Sequence, residues 1–327
     1  MKRLLTGLKP TGELTLGNYI GAISPLVKLQ EDKENEILLF VADLHALTVF
    51  QEPSLLRDRI KRFVAMYVAC GVDPERTTIY IQSQNEYIPV ISWILECNTY
   101  YGEASRMIQF KEKSKGKENF TVGLLTYPIL MAADILYCDA DYVPVGIDQN
   151  QHVEIARDIA DRFNKRYGDT FKLPSSLITN QGTKIKDLKD PTKKMSKSEE
   201  NPAGVISLFD DLNAIHKKIM GATTDSDNAV YFDEENKPGI SNLLNIASIM
   251  SGREVDDIAK EYRNSGYGNF KRYCAEVTVN KIKSIQDRYN ELIETGEIDK
   301  ILKDGIEKSR LIAKEKCELV KERVGLI

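Results

Sequence analysis

The chain has 327 residues, 42% of them hydrophobic and 29% charged, with a formal net charge of −4. That balance suits a globular enzyme of one large domain with an appendage or two ordinary domains, able to bury a core without covalent staples. It excludes a generic whole-surface nucleic-acid binder but not a local basic patch, because counterion release depends only on the phosphates contacted. No apolar run approaches the roughly 18 residues of a membrane span, so no membrane partner is expected. The five cysteines (Cys70, Cys97, Cys138, Cys274, Cys317) form no CxxC pair. No protein-bound zinc or iron–sulfur cluster is therefore expected, and with no leader segment in view the expected compartment is a reducing cytoplasm.

In chain order, Leu4–Leu5 is a short apolar run, followed by a Gly/Pro/Thr-rich turn over 7–17 and a helical pattern from Tyr19 to Leu29. Glu36–Ala42 is apolar at every position after its first, as in a parallel strand buried on both faces. Leu55–Cys70 reads as an amphipathic helix stopped by Gly71, Thr78–Gln82 as a third strand, and Ile91–Tyr101 as a helix holding the single tryptophan, Trp93. Helix Thr126–Tyr137, strand Asp141–Val145 and helix Gln149–Tyr167 follow. This alternation predicts an α/β fold with a Rossmann-like, doubly wound parallel sheet. After about Pro191 strand-like runs stop, and Leu243–Met250, Asp256–Tyr262 and Val277–Val324 read as helices. The division is placed in the Lys-rich segment 184–197, giving an α/β domain over 1–190 and an α-helical domain over 191–327.

Two constellations carry chemistry. In Thr11-Gly12-Glu13-Leu14-Thr15-Leu16-Gly17-Asn18, a glycine turn opens a helix, where free backbone N–H groups suit phosphate. Gly17 lets a flat ring approach the backbone, and Thr15 and Asn18 can donate to phosphate oxygens. A tight strand-to-helix turn capped by Thr or Asn accounts for the same residues. In Lys193-Lys194-Met195-Ser196-Lys197-Ser198, lysines interleaved with hydroxyls can clamp a triphosphate as charge grows on the leaving pyrophosphate. An exposed basic loop is the alternative.

Together these segments resemble the paired signatures of class I aminoacyl-tRNA synthetases: Thr15-Leu16-Gly17-Asn18 stands where that class has His-Ile-Gly-His, and Lys194–Ser198 is an intact Lys-Met-Ser-Lys-Ser. The stretches Gly7–Ala22, Tyr127–Leu136, Pro144–Glu154, Pro191–Ser198 and Pro238–Leu244 resemble bacterial tryptophanyl-tRNA synthetases, over most of the chain. The resemblance implies ATP, Mg²⁺, L-tryptophan and tRNA(Trp) as partners, a homodimer, and anticodon reading by the helical domain. It implies that Thr15, Asn18, Lys113, Lys194 and Lys197 share the charge of the reacting phosphates. ATP contacts are expected from Lys9, Pro10, Thr11, Gly17, Gly146, Ile147, Asp148, Ile185, Met195, Ser196 and Ser198. Tyr127 and Gln149 are expected at the substrate ammonium, and His45, Met131, Val143 and Val145 as pocket walls, core packing being the alternative for each wall. His152 is read as support for the site and His216 as a helix-surface residue.

Asp134 lies within an apolar helical run, where an unpaired carboxylate is costly. Pairing with a core Arg, or a place at a helix end, would explain it. So would a role as acceptor for the indole N–H, the one polar atom of the tryptophan ring. Lys9 departs from the family pattern, which more often has Gln there, and sets a positive charge where the substrate carboxylate is expected.

Overall fold

The computed structural model describes residues 1–116, 118–146, 149–178, 185–195 and 202–327. Five strands, β1 (Lys2–Leu8), β2 (Asn35–Val41), β3 (Thr77–Ile81), β4 (Tyr142–Val145) and β5 (Ser175–Ile178), form one sheet in the order β3-β2-β1-β4-β5, every pair parallel. The helices are α1 (Leu16–Asn18), α2 (Ser24–Glu31), α3 (Asp43–Ala46), α4 (Pro53–Ala69), α5 (Tyr87–Glu96), α6 (Tyr101–Arg106), α7 (Ile108–Ser114), α8 (Val122–Leu136) and α9 (Asn150–Tyr167). Past the sheet come α10 (Leu212–Met220), α11 (Pro238–Ser251), α12 (Val255–Tyr262), α13 (Tyr267–Thr295) and α14 (Glu297–Arg323). This is the doubly wound α/β arrangement that the alternating runs predict.

The two-residue period of each strand divides the core. Leu4, Ile37, Leu39 and Ile79 face one layer with α2 and α4, while Leu5, Leu38, Phe40 and Tyr80 face the other with α5, α8 and α9. Because helices cover both faces, β2 is apolar and buried from Ile37 to Val41, which is why Glu36–Ala42 is legible as a run.

Three elements differ from expectation. The helix from Tyr19 is interrupted by a π-turn over Tyr19–Ile23, in which the Ser24 N–H reaches back to the Tyr19 carbonyl. Pro25, just beyond, has no N–H to continue the ordinary ladder. Strand β5 (Ser-Ser-Leu-Ile) is short and half polar, and among the described residues pairs with β4 alone, so it carries no buried-strand signal. The single helix expected over Val277–Val324 is two, divided at Gly296, whose φ of +68° ends α13 in the left-handed conformation. The second of these, α14, turns back onto the sheet. A Cβ on Gly305 would lie 1.8 Å from the Ile79 carbonyl oxygen, so only glycine lets the helix seal the edge strand β3. No helix among the described residues is long and apolar enough to cross a membrane.

Candidate active site

In an open parallel sheet, ligands bind beyond the carboxyl ends of the strands where the strand order reverses. Here the reversal lies between β1 and β4, and a cavity of about 450 Å³ opens there. Thr6, Gly7 and Lys9 line it from the end of β1, and Val143, Pro144, Val145 and Gly146 from β4. Tyr127, Met131 and Asp134 reach in from α8, Gln109 and Lys113 from α7, and His45 and Gln149 from the turns after β2 and β4. Every residue expected around an amino-acid substrate therefore lines one cavity. Gly7 is required at its floor, because an added Cβ would lie 2.6 Å from the Phe40 ring.

Asp134 is fully buried in the last turn of α8. Both burial and the carbonyl end of a helix disfavour a negative charge, and burial raises its pKa despite the bonds it accepts from His45 and Gln82. Neither a core arginine nor a backbone cap explains it. The His45 Nε2 donates to Oδ2 at 2.8 Å, and the Gln82 amide donates to Oδ1 at 2.9 Å and Oδ2 at 2.8 Å. Gln82 turns its donor to the carboxylate although its own buried Oε1 then has no partner among the described residues. A carboxylate offers about four acceptor positions, so Asp134 is oriented by an imidazole and an amide and retains capacity for another donor.

Above it, the Tyr127 hydroxyl donates to Gln109 Oε1 at 2.9 Å and meets His152 Nε2 at 3.2 Å. Lys113 also donates to Gln109, at 3.2 Å, with its ammonium 5.2 Å from the centre of the Tyr127 ring. His152 is buried and meets the Tyr127 hydroxyl and ring, a supporting place, while His216 sits half-buried on α10. Lys9 projects to the cavity mouth with no hydrogen bond or ion pair among the described residues. Partial burial, and secondarily the Lys113 charge, hold its pKa below the usual lysine value.

The two lysine- and glycine-bearing motifs meet each other, and Lys9 and Ala22, which flank the first in sequence, line the cavity. Segment Leu14–Leu16 bonds to 206–208: the Leu16 N–H donates to the Ile206 carbonyl at 2.9 Å and the Leu208 N–H to the Leu14 carbonyl at 2.9 Å. Ile185–Asp187 and Lys193–Met195 form a second small pairing, with the Met195 N–H donating to the Ile185 carbonyl at 2.8 Å. It places the Met195 carbonyl 3.6 Å from where a Gly17 Cβ would stand. Thr15 and Asn18 cap each other reciprocally. The Thr15 N–H donates to Asn18 Oδ1 at 3.0 Å, and the Thr15 hydroxyl donates to the same oxygen at 3.1 Å. The cap thus uses the Thr15 hydroxyl, leaving the Asn18 NH₂ as the donor with no partner among the described residues. Pro10 is buried and Thr11 half-buried in the turn, and Lys194 is exposed. Ile147, Asp148, Ser196, Lys197 and Ser198 lie outside the described residues.

Two residues that hold the site are absent from the sequence reading, Gln82 and Gln109. A polar residue closing a buried strand signals Gln82. Nothing in the pattern of α7 marks Gln109. Among the described residues no group of three His, Cys, Asp or Glu side chains is placed to hold a metal ion.

The family profile described as tRNA synthetases class I (W and Y) matches residues 1–283. The chain is 47% identical over 327 residues to the tryptophan–tRNA ligase of Caldanaerobacter subterraneus subsp. tengcongensis, covering 100% of this chain and 99% of that one. It is 47% identical over 323 residues to that of Bacillus subtilis, covering 99% and 97%. Among solved structures, it resembles the tryptophanyl-tRNA synthetase of Mycoplasma pneumoniae with a TM-score of 0.87 at 35% identity, covering 99% and 98%. The Campylobacter jejuni enzyme complexed with ADP and tryptophan matches with a TM-score of 0.84 at 35% identity, over 99% of each chain. A reversal-point cavity, two motifs that meet, and a full-length likeness agree: the chain belongs to the class I tRNA synthetases of the tryptophan and tyrosine branch.

Proposed function

We propose that this chain activates L-tryptophan with ATP, forming tryptophanyl-adenylate and pyrophosphate, and then transfers the tryptophanyl group to tRNA(Trp). One observation carries the substrate: a fully buried carboxylate with an acceptor position to spare, at the wall of a cavity suited to a flat apolar ring. The indole N–H fills that position. Phenylalanine leaves the carboxylate short of a donor, which sites of this kind reject strongly.

The tryptophan carboxylate is already ionised near neutral pH and attacks the α-phosphorus without a protein base, and pyrophosphate leaves. Catalysis then rests on positioning and charge neutralisation. Tyr127 and Gln149 hold the ammonium, and His45, Met131, Val143 and Val145 pack the ring. The turn from Lys9 to Thr11, Gly17, Ile185, Met195 and the 146–148 segment hold the nucleotide. Asn18, Lys113, Lys194 and Lys197 share the charge of the departing pyrophosphate, with Thr15 fixing the Asn18 amide that faces it and Ser196 and Ser198 completing the loop. Mg²⁺ enters with ATP as part of the substrate, in keeping with phosphate-facing side chains that are cations and amides.

The helical portion from 191 onward reads the anticodon, where unstacked bases are bound singly. The exposed Trp93, Tyr100, Tyr101 and Val122 form an apolar face suited to a second copy of the chain. The work is cytoplasmic protein synthesis. ATP–pyrophosphate exchange across the amino acids, followed by charging of tRNA(Trp), tests the reading. Tryptophan alone is expected to support exchange. Exchange with tyrosine instead, or tryptophan binding without exchange, would overturn it.

A further inference from the structure

Asp134 is supported from two arms of the fold, and both are tied at their far ends to the last helix. Gln82, whose amide holds both carboxylate oxygens, sits in the 3-10 turn Gln82–Gln84 that leaves β3. Its side-chain oxygen has no partner among the described residues, so its placement depends on that turn. The Asn85 backbone N–H closes the turn by donating to the Gln82 carbonyl at 3.0 Å. The second arm is α8 itself, where Tyr137 follows Asp134 by one turn.

Ser309 of α14 joins the arms. The Asn85 amide donates to its Oγ at 2.8 Å, across 224 residues of sequence. The Tyr137 hydroxyl donates to Tyr80 at 2.8 Å and lies 3.0 Å from Ser309 Oγ, which leaves Ser309 to donate to Tyr137. Asn85, Ser309, Tyr137 and Tyr80 are all fully buried, so none of these bonds has water as a substitute. Nearby, Gly305 lets the helix touch the β3 backbone, and Arg310 donates to the Gln84 carbonyl at 3.1 Å.

We infer that Ser309 is a positioning residue for the amino-acid site: through Asn85 and Tyr137 it fixes the spacing between Gln82 and Asp134, so α14 is a working part of the tryptophan pocket. The inference rests on reading the cavity as that pocket. Loss of the hydroxyl frees both arms, and the cost falls on recognition of the indole while the phosphate motifs, on the opposite layer, keep their geometry.

The test is ATP–pyrophosphate exchange with the full chain, reading KM for tryptophan and for ATP separately, beside the melting temperature. Ser309→Ala is expected to raise KM for tryptophan about tenfold, the scale of one buried hydrogen bond, with KM for ATP within about twofold. Ser309→Cys, which keeps the volume and donates weakly, is expected to show a smaller shift in the same direction and serves should the alanine variant fold poorly. Lys316→Ala is the comparator on the same helix. It removes a bond to the Thr170 carbonyl at 2.7 Å and an ion pair with Asp139 at 2.8 Å, and should lower the melting temperature while leaving both KM values in place. Equal shifts in the two KM values, or a Ser309 effect confined to melting, would overturn the inference alone. A native chain that exchanges with no tryptophan would overturn it together with the reading beneath it.

Discussion

Asp134 and Lys237 both carry a charge into the interior, and they are held in opposite ways. The Lys237 ammonium, 3% exposed, meets Asp227 at 2.7 Å, Asp225 at 3.0 Å, the Tyr267 hydroxyl at 2.8 Å and the Ala229 carbonyl at 3.1 Å, with the Tyr231 ring 4.5 Å away. Burial alone would lower its pKa, but the bonds to Asp227, Tyr267 and Asp225 raise it. Among the described residues Asp134 has no opposite fixed charge beside it, but an imidazole and an amide. A buried charge whose donors are all matched ties α11 to its neighbours and has nothing left for a ligand. A buried charge left one partner short, beside a cavity, is poised to take one.

The sharpest way to break this contrast is to neutralise each charge in turn. Asp134→Asn should lower kcat/KM for tryptophan on the order of 10³-fold, because the charged carboxylate proposed to accept the indole N–H becomes a neutral amide with one acceptor oxygen, which His45 and Gln82 already claim, while melting stays level or rises as a buried charge is removed. Lys237→Met should do the reverse. It leaves two acids facing an apolar site and costs about 3 kcal/mol of stability by thermal or urea unfolding, with KM for tryptophan unchanged below the transition.

Acid separates the two regions in a second way. Burial raises the Asp134 pKa above the 3.8 of a free carboxylate, so tryptophan turnover should fall as pH drops toward a midpoint above 3.8. Burial works against Asp225 as well, but its bonds from Tyr267, the Asp227 backbone and Lys237 prevail and hold its pKa below 3.8. Its stabilisation is present above the unfolded value and lost only as pH falls through that depressed value. The Lys237 contribution, present below 10.5, is intact throughout this range. A pH window should therefore exist in which substrate recognition is lost and the fold is kept, seen by recording kcat/KM and circular dichroism on the same samples.

Lys9 gives the smallest effect. Its charge is partly solvated at the cavity mouth, so Lys9→Gln should weaken tryptophan binding about fivefold, near the 1 kcal/mol scale of exposed ion pairs. Tryptamine, which lacks the carboxylate, should bind both forms alike in competition assays.

How much of this was legible in the sequence follows from whether each signal is local. The runs at 36–42 and 78–82 announce buried parallel strands because both faces are covered, and Asp134 stands out because an acid interrupts apolar residues. Gln109 gives no such sign, since an amide on an exposed-looking helix resembles any solvated residue until Tyr127 and Lys113 converge on it. The return of α14 to β3 is equally silent. Its charged and apolar residues fit a helix packed on any neighbour, and the need for glycine at 305 arises from the backbone of Ile79, far away in the chain. Strand β5 escapes notice because Ser175 and Ser176 break the apolar run at a sheet edge.

The central claim, that the Asp134 carboxylate selects its substrate by accepting the indole N–H, is tested most directly by changing both partners. Exchange kinetics would compare tryptophan with its benzothienyl analogue, in which sulfur replaces the N–H, in the native enzyme and in Asp134→Asn. A preference for tryptophan of about 100-fold or more in the native enzyme, collapsing toward unity in the variant, is the predicted result. An equal preference in both proteins would show that some other group reads the ring.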